Sequence, residues 1–331
     1  MSSSSAPGLA APDQYLQSFE GDDAVFVAMD RAAYRRSIFL DHRISCAAEG
    51  VVRLPVAALA AAAPPRAPTD WIFHVAHCGS TLLARALDAL GDALVLREPL
   101  ALRQLALSPD ADRLKLALAF LSRHYPGSGA TLIKANVPVN FLLDEIVRSD
   151  RDARALFLFC TLRDYLLAIL RSNNHRAWLR TVTGLLARHL GELSALSDAQ
   201  CGAVLWLAQL RQFAAAIAEM PNAKSLDAEV FFADPAASLR LAAQHFGRPA
   251  DPQAIEGLVK GPLFNTYSKN PEHAFDNAAR QARRLVLGRD LSGEIKEAER
   301  WIETNGADAQ AALRTLTGAA LGTNALAAGL G

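Results

Sequence analysis

The feature that most restricts the fold is an alternation that starts at Asp70 and continues to about residue 250, in which short apolar runs are separated by stretches of helical period. The runs are Trp71 to Ala76, Ala93 to Leu96, Ala130 to Lys134, Ala155 to Thr161 and Ala223 to Ala228. Helical spacing of apolar residues marks Thr81 to Leu90, Asp112 to His124, Val139 to Arg148, Tyr165 to Arg171, Ala199 to Met220 and Ala236 to Phe246. Apolar strands joined by amphipathic helices are the pattern of βαβ units, whose parallel strands are covered on both faces. The sequence therefore predicts an α/β fold, a three-layer sandwich around a mainly parallel sheet. Ahead of it, the runs 24–28 and 34–44 predict a small N-terminal unit, ended by the proline-broken connector 61–69.

Between the first run and the first helix lies His77-Cys78-Gly79-Ser80-Thr81. A glycine turn that leads from a strand into a helix gathers unpaired backbone N–H groups at the positive end of the helix dipole, which suits a phosphate or sulfate. Gly79 lets the backbone approach the anion, and the Ser80 and Thr81 hydroxyls add donors. A Walker A loop would need Lys where Ser80 stands and Gly where His74 stands, so ATP or GTP hydrolysis is disfavoured. The same turn also reads as an ordinary helix start capped by its hydroxyls.

Composition narrows the partners. With 34 basic and 34 acidic side chains, nothing in the overall charge calls for nucleic acid or a membrane surface, so any anion site must be local. Cys46, Cys78, Cys160 and Cys201 are widely spaced and have no His neighbour at ligand spacing, which argues against a disulfide scaffold and against a metal site. The start, Met1 to Pro7, lacks the basic and apolar parts of a signal peptide, and no apolar run was found near the roughly 20 residues of a membrane span. The expectation is a cytoplasmic protein without a metal.

The segment Ala76-His77-Cys78-Gly79-Ser80-Thr81-Leu82-Leu83 resembles the 5′-phosphosulfate loop of the sulfotransferase superfamily, P-[KR]-[ST]-G-[ST]-T-x-L, most closely in its bacterial and tyrosylprotein-type members. His77 stands where the family has Lys or Arg. A second block, Leu162-Arg163-Asp164 followed by Arg171-Ser172, is similar to the family's 3′-phosphate motif, with Tyr165 in place of its proline and Ser172 one position late. A third, Leu226 to Pro235 with the helix that runs to Gly247, resembles the segment Y-E-D-L-x-x-D-P; Glu229 reads there as structural. The resemblance spans roughly residues 70 to 250.

It implies a P-loop nucleotide-binding core at 69–250, an N-terminal accessory segment at 1–68 and a helical extension at 251–331 that completes the donor site. It also implies transfer of a sulfuryl group from PAPS, 3′-phosphoadenylyl sulfate, to a hydroxyl or amine of a small-molecule or peptide acceptor, leaving PAP. His77, Cys78, Gly79, Ser80 and Thr81 would hold the 5′-phosphosulfate, Arg163 and Ser172 the 3′-phosphate. Lys269, in the segment 267–273 ahead of Arg280, Arg283 and Arg284, is similar in place to the family's basic donor loop. Glu98, after the second strand, is expected to be the general base, with His77 and Lys134 assisting; Lys134-Ala135-Asn136 lacks the histidine that aryl members carry after the third strand. Two alternatives stay open: an ATP-dependent P-loop phosphotransferase, and a non-catalytic nucleotide- or anion-binding protein on the same fold.

Overall fold

The computed structural model describes residues 9–267, 270–274 and 277–322. Its centre is a five-stranded parallel sheet of β4 (Thr69–His74), β5 (Val95–Arg97), β6 (Thr131–Lys134), β7 (Ala155–Phe159) and β8 (Ala223–Asp227), following β1 to β3 of the N-terminal region. The strand order is β5-β6-β4-β7-β8. β4, β6 and β7 are buried at every position, as the near-continuous apolar runs require of strands covered on both faces. The fold is α/β, with helices on both sides of the sheet.

The order fixes where a ligand can sit. From β4 the chain crosses to the β5 edge, whereas from β7 it crosses the other way to β8, so right-handed crossovers put the two connecting helices on opposite faces. The crevice beyond the C-terminal ends of β4 and β7 is therefore the topological switch point, the place where open α/β sheets bind ligands. The glycine loop leaves β4 there, and Val75 N–H bonds the Leu158 carbonyl of β7 at 3.0 Å.

Several helices differ from the sequence reading for local reasons. Val139 to Arg148 is a 3₁₀ turn, Val137–Leu142, that runs into the helix Leu143–Ser149, with Pro138 near its start. The helix after β7 begins at Leu162, because Thr161 caps it by accepting from Asp164 N–H. The helices Leu100–Leu107 and Asn173–Leu185 have no counterpart in the sequence reading, and the expected helical extension at 251–331 resolves into Pro252–Lys260, Pro262–Asn265 and three longer helices after residue 276. Asp198–Glu219 starts with a Ser197/Gln200 capping box and is long and apolar enough, by length and composition alone, to cross a bilayer, contrary to the expectation that no stretch approaches a membrane span. Most of it is buried inside the fold, packed on helices, the 3₁₀ turn and β8.

The N-terminal region is an antiparallel sheet of β1 (Gln14–Glu20), β2 (Asp23–Ala28) and β3 (Val51–Pro55). It is fastened to the parallel sheet by buried polar contacts. The Arg97 guanidinium, 1% exposed, donates to the Tyr34 and Ser37 carbonyls at 2.5 and 2.6 Å and pairs with Asp88 at 2.6 Å. Leu40 is gripped from both sides of Glu98: its N–H donates to the Arg97 carbonyl (2.7 Å) and its carbonyl accepts from Leu100 N–H (3.1 Å). That clasp carries Phe39, Asp41 and Arg43 to the C-terminal end of β5.

Candidate active site

The backbone marks the site before any side chain is considered. Among described residues other than glycine, only His77 (φ 61°) and Glu98 (φ 58°) are left-handed, a strained conformation that tends to persist where function requires it. His77 follows β4 at the switch point, and Glu98 follows β5 at the edge of the same end of the sheet. Gly79 (φ 85°) caps the helix Ser80–Ala89, and a Cβ there would lie 2.8 Å from the Phe232 ring. Only glycine meets both conditions.

A cavity of about 350 Å³ opens on the loop. His77, Gly79, Ser80, Thr81 and Leu82 form one wall; the first intrahelical bond is Leu83 N–H to Gly79 O, so the amides before it have no acceptor within the helix. Thr81, 2% exposed, has its hydroxyl oxygen buried without a hydrogen-bond partner. Four arginines, Arg171, Arg280, Arg283 and Arg284, line the same space against two carboxylates, Asp164 and Glu229. Glu229 holds Arg280 through two hydrogen bonds of 2.9 Å and pairs with Arg284, which also pairs with Asp164. Burial pushes the Glu229 carboxyl up, but the bonds from Arg280 and Arg284 together hold it below its ordinary value. Positive charge thus exceeds negative in this cavity although the chain as a whole is neutral.

The sequence-derived donor residues are not all brought together. Cys78 is buried in the loop beneath the cavity wall. Arg163 is exposed and does not line the cavity; a Cβ on Gly288 of the helix Asn277–Asp290 would come within 2.7 Å of its guanidinium. Ser172 does not line it either, but its hydroxyl is 2.6 Å from His175 Nδ1. Arg171 donates to His175 Nε2, which leaves Nδ1 facing Ser172. His175 reaches the cavity and lies against His77, ring centroids 4.8 Å apart. Lys269 lies outside the described residues. Arg171 occupies the eighth position after Arg163, where the family's serine stands; Arg171 and His175 were overlooked as site residues because no motif names them.

A second cavity, of about 320 Å³, contains the other candidates. His77 lines both spaces, so the two meet at the loop. Here Glu98 Oε1 lies 2.5 Å from the Nζ of Lys134, which is wholly buried and also 3.0 Å from His74 Nε2. Glu98 N–H donates to the Lys134 carbonyl (2.8 Å), so backbone and side chain both fasten the end of β5 to β6. Asn136, Arg103, Trp178 and Val182 complete the wall with Phe39, Asp41 and Arg43, which no sequence signal had tied to the site. Arg43 is spent on Asp41, at 2.9 and 2.5 Å. Hydrogen bonds to Arg43 hold the Asp41 carboxyl below its ordinary value although burial pushes it up.

The arrangement is a space with more arginines than carboxylates and a space containing the Glu98–Lys134 pair, with His77 lining both. Among the described residues no group of three or more His, Cys, Asp or Glu is placed to hold a metal, and no disulfide joins the four cysteines. No family model and no curated protein matches the sequence. Among solved structures, the chain is similar to a sulfotransferase domain from the curacin biosynthetic pathway at 10% identity, with 69% of this chain and 99% of that one covered and a TM-score of 0.45. It is also similar to a sulfotransferase from Alicyclobacillus acidocaldarius at 14% identity, covering 72% and 96%, with a TM-score of 0.40.

Proposed function

We propose that this chain is a sulfotransferase that moves the sulfuryl group of PAPS to a hydroxyl or amine acceptor. The observation that carries the reading is the junction of two cavities at His77: one lined by the glycine loop and four arginines, the other by Glu98 paired with Lys134. The donor fits the first space. Thr81 offers a buried hydroxyl with no partner among the described residues, the Ser80, Thr81 and Leu82 amides have no acceptor within the helix, and the excess of arginine matches a polyanion. PAPS supplies a sulfuryl group on a phosphate leaving group.

The residues of the chain do the rest. The loop 77–81 binds the 5′ end, and Arg171, Arg280, Arg283 and Arg284 face the remaining negative charge. Glu98 takes the acceptor proton as the acceptor oxygen or nitrogen bonds to sulfur and the bond from sulfur to the phosphate oxygen breaks. Lys134 aims Glu98 through their 2.5 Å contact, and His77, at the junction, donates a hydrogen bond to the charge that develops on the leaving phosphate.

The test is single-turnover transfer from PAPS labelled in the sulfuryl group, with a panel of phenols, alcohols and amines and with mass detection of the product. Label on an acceptor, with PAP released in equal amount, supports the reading. PAP binding without transfer to any acceptor points to a binding protein, and phosphorylation from ATP with Mg²⁺ points to a phosphotransferase.

A further inference from the structure

Two polar groups of the second cavity lack a partner among the described residues, the Arg103 guanidinium and Asn136 Oδ1. Arg103, on the helix Leu100–Leu107, is half-buried and lines the cavity, yet among the described residues its guanidinium has neither an ion pair nor a hydrogen bond. The neighbouring Arg43 shows the contrast, since Asp41 occupies it. Asn136 is 7% exposed and stands at the N-cap of the 3₁₀ turn Val137–Leu142, where an asparagine oxygen ordinarily accepts a backbone N–H. It makes no such bond, and its Oδ1 is buried without a partner. A buried amide left unpaired is unfavourable unless a ligand completes it. Phe39, Val137, Trp178 and Val182 line the same cavity with apolar surface.

We infer that the acceptor is a small amphipathic hydroxy or amino compound with an anionic group of its own. Arg103 binds the anion, Asn136 hydrogen-bonds a polar group beside the reacting atom, and the apolar surface takes the hydrocarbon part. The inference rests on the sulfotransferase reading of this site and adds the substrate class to it. Glu98 and Arg103 then have separate tasks: Glu98 accepts a proton, and Arg103 selects charge.

The experiment measures binding of matched probes to the full chain saturated with PAP. The probes are 4-hydroxyphenylacetate and its methyl ester, 6-hydroxyhexanoate and its methyl ester, and 4-hydroxyphenyl phosphate. The wild type is expected to bind the charged member of at least one scaffold about 10- to 100-fold more tightly than its ester, the range of a charge-assisted contact. In R103Q that preference falls to about one, in R103K part of it returns, and in N136A charged and neutral probes weaken by a similar factor. A tighter phosphate assigns the anion to a phosphate ester and a tighter carboxylate to a carboxylic acid; either supports the inference. Equal binding of charged and neutral probes, no probe binding at all, or a preference that survives R103Q overturns it. PAP affinity, recorded in parallel, separates the failures: if PAP binds and the preference is absent, only the substrate class is wrong, whereas loss of PAP binding in the wild type removes the reading beneath it.

Discussion

Glu98→Gln tests whether the buried pair is structural, chemical or both. Glu98 is 18% exposed and Lys134 is not exposed at all, with their charged atoms 2.5 Å apart. Removing one partner of a fully buried pair costs about 3–5 kcal/mol, because the other charge is stranded. Here the cost is expected at about 1–3 kcal/mol, since the glutamine oxygen still accepts a hydrogen bond, His74 Nε2 stays 3.0 Å from Lys134 and Glu98 is partly solvated. Turnover should fall much further, roughly 10²- to 10⁴-fold, because the amide takes no proton. Glu98→Gln/Lys134→Met separates the effects: the stranded charge is gone, so stability should return to within about 1 kcal/mol of the wild type while transfer stays slow. Urea unfolding and single-turnover sulfate transfer, measured on both variants, are the assays. A Glu98→Gln protein that transfers at the wild-type rate would falsify the base assignment. A double variant no more stable than the single one would refute the electrostatic argument.

Thr81→Val keeps the shape of a buried side chain whose hydroxyl has no partner among the described residues; ligand-free stability should be unchanged or higher by about 1 kcal/mol while PAP affinity drops roughly 5- to 10-fold, read by unfolding and by titration. Gly79→Ala should cost about 1–2 kcal/mol for its left-handed backbone plus the displacement of Phe232. In a Phe232→Ala background only the backbone part should remain, and equal costs in both backgrounds would clear Phe232. Glu229, whose folded-state value lies below the ordinary 4.5, contributes stability that is present above that value and lost as pH falls through the lower one. The stability gap between wild type and Glu229→Gln should accordingly be full at neutral pH and close in acid; a gap that widens in acid would contradict the sign.

How much of this was legible in the sequence follows from the range of each interaction. The parallel strands were readable because burial on both faces leaves apolar runs, and the loop because a glycine between a strand and a helix leaves a local pattern. Pairing between distant residues leaves none. The single lysine of β6 reads as a strand-end residue until the register sets Arg97 opposite Lys134 and brings Glu98 to it. Phe39, Asp41 and Arg43 have no motif, and they reach the second cavity only because Leu40 is clasped by the backbone on either side of Glu98. Arg163 sits at a motif position, whereas the side chains of that helix that face the cavity are Asp164, Leu167 and Ala168, a choice made by helix rotation. The basic residues after 276 carried a charge pattern; that Glu229 and Asp164 would bind two of them is a matter of tertiary packing.

The central claim is that the loop cavity binds a 3′-phosphoadenosine nucleotide, and calorimetric titration with PAP tests it most directly. PAP should bind with a stoichiometry of one in the presence of EDTA. Its affinity should exceed that of AMP, which lacks the 3′-phosphate, by about tenfold or more, the worth of a charge-assisted contact to the cavity arginines. Arg283→Ala should narrow that gap. If PAP gives no binding, or Mg-ATP binds more tightly than PAP, the cavity is not a PAPS site and the proposed function is wrong.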